Sequence, residues 1–147
     1  HYPLRRQRQM CIRDSTNTVA GLDLALDILR KKKNSNKQIF MITDGKPSCI
    51  RLSNGNYYKN SVGLDNKIVE KCYEKARKAK KLGIPITTFM IASDFYLQQF
   101  VKEFTTLNCG KAFYTGINNL GQMMFEDYEN NRKRKFSRCW RIFKRCY

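Results

Sequence analysis

Three short apolar runs set between amphipathic helical stretches constrain this chain most. Residues 38–43 (QIFMIT), 84–91 (IPITTFMI) and 111–115 (KAFYT) are short and nearly continuous in apolar character. Strands covered on both faces of a parallel sheet read this way. Helical periodicity fills the gaps between them. Val19, Leu22, Leu26 and Leu29 line one stripe of residues 18–33, with Ala25 on it. Ile68, Cys72, Ala76 and Ala79 line residues 67–82, Leu97, Phe100, Val101 and Phe104 line residues 95–106, and residues 120–128 form a last helix. The order is helix, strand, long loop, helix, strand, helix, strand, helix. Such alternation predicts an α/β fold with a doubly wound, mainly parallel, Rossmann-like sheet. The chain opens on a helix and shows only three strands, so the sheet is expected to be incomplete at the N-terminus.

The punctuation agrees with this order. Asn34-Ser35-Asn36 ends the first helix, and Gly83 followed by Pro85 ends the second. Asn108-Cys109-Gly110 closes the third, which Ser93-Asp94 opens. Residues 44–66 are polar, hold Pro47, Gly55 and Gly63, and read as one long loop.

Charge divides the chain into three parts. The net charge is +17, yet residues 132–147 alone carry eight Lys and Arg and no acid. Residues 1–15 carry Arg5, Arg6, Arg8 and Arg13 against Asp14 and follow neither a strand nor a helix period. Met10 to Ser15 also spell what a transposon-type sequencing adapter encodes in frame. Residues 1–15 are therefore expected to be non-native or a disordered basic segment, residues 16–131 the folded part, and residues 132–147 a basic tail. The 147 residues suit about one domain. No apolar run reaches the roughly 18 residues of a membrane helix, and no signal-peptide pattern is present, so a cytoplasmic protein is expected. Six cysteines lack C-x-x-C spacing and the single histidine is His1, which argues against zinc and for free thiols.

The candidate site lies where the first apolar run ends. Residues 39–45 read IFMITDG, so Asp44 emerges at the carboxyl end of a strand, where open parallel sheets bind ligands. A carboxylate leaving apolar surroundings suits a hard divalent cation. Taken alone, Asp44-Gly45 is served as well by an ordinary turn, with Gly45 easing the bend. Thr16-Asn17-Thr18 precedes the first helix, whose start belongs at the same rim. A threonine there is served as well by a helix N-cap, which Thr16 or Thr18 could supply.

Together, TNTVAGLDLAL and IFMITDG at this separation resemble the von Willebrand factor A (vWA) domain family. The strand IPITTFMIA, the helix after it and the strand KAFYT follow the family's order, and the resemblance runs from Thr16 to about Asn130. It implies a metal-ion-dependent adhesion site in which Thr16 and Asp44 take part in holding Mg2+, with Gly45 and Lys46 beside the partner. It also implies a protein-interaction module rather than an enzyme, whose open metal position accepts an acidic residue of a partner protein. Intracellular bacterial members work beside AAA+ ATPases of the MoxR or magnesium-chelatase type, which implies such a partner here. The family's D-x-S-x-S loop occurs nowhere in the chain, so Mg2+ binding by these residues alone is expected to be weak or absent.

Two other functions compete. An α/β enzyme lacks support, since G-x-G-x-x-G, G-x-S-x-G and a P-loop lysine motif are missing, and Cys49 has no evident base. The tail, with Phe136, Trp140 and Phe143 among its cations, could bind nucleic acid or an anionic surface.

Overall fold

Asn17 starts the first helix. Its side chain accepts the amide of Ala20, so the cap falls to neither Thr16 nor Thr18. The computed structural model describes residues 15–34, 36–60, 62–91 and 94–133. The expectations for the first segment up to Asp14 and for the tail beyond residue 133 lie outside these residues.

The elements are α1 (Thr18–Arg30), β1 (Ile39–Thr43), β2 (Cys49–Arg51), β3 (Tyr57–Lys59), α2 (Asn66–Lys81), β4 (Ile86–Met90), α3 (Phe95–Asn108), β5 (Lys111–Tyr114) and α4 (Ile117–Lys133). β1, β4 and β5 form a parallel sheet in the order β1-β4-β5. The α/β architecture with a parallel sheet thus follows the hydrophobic pattern.

Alternation along β4 separates the two faces. Ile86 and Met90 join one core with Leu22 and Leu26 of α1, Cys72, Tyr73 and Ala76 of α2, and Leu97, Phe100 and Phe104 of α3. Thr87, pointing the other way, donates to Asp127 of α4. Three helices therefore cover one face and α4 lies on the other. Every residue of β4 is buried, as expected for the central strand.

Asp127 is buried, with 3% of its surface exposed. It accepts from Gln38, Thr87 and Asn131 and pairs with Lys111. That one carboxylate ties the starts of β1 and β5, the second residue of β4 and the end of α4 together. Its burial is tolerable because each oxygen is matched by donors and a cation.

The structure departs from expectation in three places. The stretch 44–66 is not one loop: β2 and β3 pair as an antiparallel hairpin within it, with Cys49 opposite Lys59. Gly55, at φ 86°, makes the turn, and Asn54-Gly55 was the readable signal. Second, β1 is not covered on both faces. Among the described residues it is an edge strand, and Ile42 stays 48% exposed. Third, α4 extends beyond both predicted ends. Asn108-Cys109-Gly110 closes α3 as expected, and within it the residue that turns left-handed is Cys109, at φ 58°. Gly110 serves another purpose, because a Cβ there would sit 1.9 Å from the carbonyl oxygen of Ile86.

Candidate functional site

The rim at the carboxyl end of β1 is built by two backbone segments that grip each other. The amide of Thr16 donates to Ser48 Oγ at 2.9 Å, and the amides of Ser48 and Cys49 donate to the Thr16 carbonyl at 3.0 and 3.3 Å. Residues just before α1 are thereby fixed against the loop that follows β1. The hydroxyl of Thr16 lies 4.0 Å from where a Cβ on Gly45 would stand. Thr16 and the Asp44-Gly45 turn are neighbours, although 28 positions separate Thr16 from Asp44 in the chain.

The turn itself is made by Thr43. Its hydroxyl donates to the Gly45 carbonyl at 2.7 Å and accepts the Gly45 amide at 3.3 Å. Gly45 does not adopt a positive φ, so glycine is not required there to bend the chain; it leaves the space that faces Thr16. Asp44 is exposed at the end of β1, and among the described residues no side chain hydrogen-bonds or ion-pairs with it. The Thr16 hydroxyl, also exposed, likewise has no hydrogen-bond partner among them.

Lys46 is engaged within the chain. Its ammonium lies 3.5 Å from Asp94, the N-cap of α3. The amide of Leu97 chiefly, opposed by burial and helped to a lesser extent by the Lys46 charge, holds the Asp94 carboxyl below the usual carboxylate range. The loops after β1 and β4 are thus linked at the same rim. Thr16, Asp44, Gly45 and Lys46 therefore lie together. Ser48, Thr43 and Asp94 complete the surroundings and were not singled out from the sequence. Ser48 was legible only as a hydroxyl in the same loop as Asp44, and Asp94 only as a helix opener.

The donors at this rim are all oxygens. Among the described residues no group of three His, Cys, Asp or Glu side chains could hold a metal. The rim's chemistry is one carboxylate with nearby hydroxyls, which fits a hard cation in kind and leaves most of its coordination to water or a partner. Cys49 sits nearby but is buried, and burial pushes its thiol up, away from the thiolate a nucleophile needs. Cys72, deeper in the core, is pushed up to about 12 by burial. No helix among the described residues is long and apolar enough to cross a membrane.

Comparison with curated proteins and with solved structures brought no match. A family model described as "Rv0959-like protein, vWA domain" matches residues 5–129. That span takes in both rim segments, the parallel sheet and α1 to α3, and domains of this kind are in general interaction modules. The chain belongs to the Rv0959-like vWA domain family.

Proposed function

We propose that this chain is a metal-dependent protein-interaction module whose contact point is the rim formed by Thr16 and Asp44. In this reading Thr16 and Asp44 hold Mg2+ weakly by themselves, and an acidic side chain of a partner protein takes the position left open and completes the hold. When bound, a hard cation bridges two sets of oxygens that would otherwise repel. This chain's residues do the rest. Asp44 supplies the negative charge and Thr16 a neutral oxygen. Gly45 leaves the rim open, and Lys46, shared with Asp94, adds a positive charge beside an incoming carboxylate. The partner class that the family resemblance favours is an AAA+ ATPase of the MoxR or magnesium-chelatase type, acting in the cytoplasm.

The observation that carries this reading is the reciprocal bonding of Thr16 and Ser48, which keeps a free hydroxyl next to the Asp44 turn. The enzyme reading gains nothing comparable, because the nearby thiol of Cys49 is buried. The test is fluorescence anisotropy of a labelled glutamate-containing peptide titrated with the chain, with Mg2+ and with EDTA. Binding is expected with Mg2+ only, and Asp44→Ala is expected to weaken it about tenfold or more. Equal binding in EDTA would contradict the proposal.

A further inference from the structure

The hairpin β2–β3 belongs to the stretch that carries Asp44, and its base reaches the rim. Cys49 pairs with Lys59, and one step further the Asn60 amide donates to the Ser48 carbonyl at 2.9 Å. Ser48 is also the residue that grips Thr16, through its own amide and its hydroxyl. Thr16, Ser48 and Asn60 are thus joined by hydrogen bonds, with Ser48 between the other two. Thr16 is exposed and precedes α1, so packing does little to hold it.

Asn60 is itself held. Its side-chain oxygen accepts the Val62 amide at 2.9 Å, and its side-chain amide donates to Asp65 Oδ2 at 2.9 Å. Tyr58 donates to the same Asp65 oxygen at 2.9 Å. The two oxygens of Asp65 divide the work. Oδ1 caps α2 by accepting the amides of Lys67 and Ile68, and Oδ2 is left to Asn60 and Tyr58. Capping α2 therefore does not require Asn60. α2 is fixed in turn by its buried Ile68, Cys72 and Ala76. An unbroken series of hydrogen bonds runs from this anchored helix through Asp65, Asn60 and Ser48 to Thr16.

We propose that Asn60 and Asp65 are positioning residues for the metal rim: they hold Ser48, and through it Thr16, in place beside the Asp44 turn. The inference rests on the reading of Thr16 and Asp44 as a shared cation site, and it names the residues that order that site. Neither is a ligand. Partners behind the ligands tune metal affinity by fixing where the ligands stand. A set of one carboxylate and one neutral hydroxyl binds weakly, so any ordering of Thr16 left to the moment of binding weakens it further. The Asn60–Asp65 bond supplies that order in advance.

The experiment exchanges the pair in the whole chain. Asn60→Asp sets two carboxylates face to face and Asp65→Asn two amides, so each single variant breaks the bond. The double variant restores it with donor and acceptor exchanged, and Asp65→Asn keeps an oxygen for the α2 amides. Two quantities are read well below the unfolding temperature. Without metal, the temperature coefficient of the Thr16 amide NMR shift reports its hydrogen bond. With Mn2+, broadening of the Thr16 and Asp44 amides gives the affinity. In each single variant the Thr16 amide is expected to become solvent-like and the affinity to fall about three- to tenfold. Both are expected to recover in the double variant. The single variants change the net charge in opposite directions, so a loss in both is not a charge effect. Asn60→Ala breaks the bond without adding charge, and serves if Asn60→Asp fails to fold. A fall in melting temperature with the Thr16 amide and the affinity unchanged overturns the proposal, because the pair would then serve the fold alone. Losses that the double variant does not recover overturn it too. An unaltered chain that takes no Mn2+ at the rim overturns it together with the reading of Thr16 and Asp44, whereas normal binding by the unaltered chain and by the variants alike sinks this inference only.

Discussion

Thr16 and Ser48 hold each other by two reciprocal hydrogen bonds: the Thr16 amide donates to the Ser48 hydroxyl at 2.9 Å, and the Ser48 amide donates to the Thr16 carbonyl at 3.0 Å. The side-chain half of this clasp can be removed alone. Ser48→Ala keeps the backbone bond and frees the Thr16 amide, which is at the surface and can turn to water. Stability is expected to change by less than about 1 kcal/mol, as for surface positions generally. Mg2+-dependent binding of the acidic peptide is expected to weaken several-fold, because the Thr16 hydroxyl loses part of its positioning. Unchanged binding by Ser48→Ala would show that the clasp does not position the site.

Acid should loosen the helix starts. Asn60 and Tyr58 donate to Asp65, the N-cap of α2, and with the Ile68 and Lys67 amides they hold its carboxyl below the usual range. Asp94 is held low in the same direction, chiefly by the Leu97 amide. A carboxyl with a lowered folded pKa stabilises the fold above its unfolded value of about 3.9, and that contribution is lost as pH falls toward the folded value. Asp65→Asn keeps a capping oxygen but does not titrate. The stability gap between wild type and Asp65→Asn, from urea unfolding, is expected to be widest at neutral pH and to close below about pH 4. A gap that stays constant with pH would contradict this assignment.

Asp127 is the fastening on the face opposite α1. Asp127→Ala would strand the Gln38, Thr87 and Asn131 donors and leave Lys111 to seek water. Lys111 is partly exposed, so the loss is discounted to about 2–3 kcal/mol, below the usual cost of breaking a buried pair. Urea denaturation measures it. A loss under about 0.5 kcal/mol would mean that the network contributes little.

The turn after α3 allows two substitutions with opposite signs. Gly110→Ala forces a methyl onto the Ile86 carbonyl, a backbone atom in the central strand that has no room to give. It is expected to destabilise by more than about 2 kcal/mol. Cys109→Gly relieves the left-handed cysteine and is expected to stabilise by about 0.5–1 kcal/mol. Thermal melts of the two variants should move in opposite directions.

The parallel sheet and the helices were legible because burial writes itself into periodicity. β4, α2 and α3 each bury one regular set of apolar residues, and those sets are visible in the chain. β2 and β3 were not, since three-residue strands are too short to carry a period and only Asn54-Gly55 marked their turn. The edge position of β1 could not be read either: IFMI looks the same whether one neighbour strand is present or two. At the rim, the meeting of Thr16 and the Asp44 turn followed from their places at helix start and strand end. The clasp through Ser48 and the Lys46–Asp94 pair depend on loop geometry, which leaves no pattern in sequence.

The most direct measurement is the broadening of backbone amide NMR signals by Mn2+, a paramagnetic stand-in for Mg2+. The account predicts selective broadening of Thr16, Asp44 and Gly45 at millimolar metal, as expected for a site with one carboxylate, and its loss in Asp44→Ala. Broadening centred elsewhere on the chain, or none at the rim, would contradict the claim that Thr16 and Asp44 share a cation.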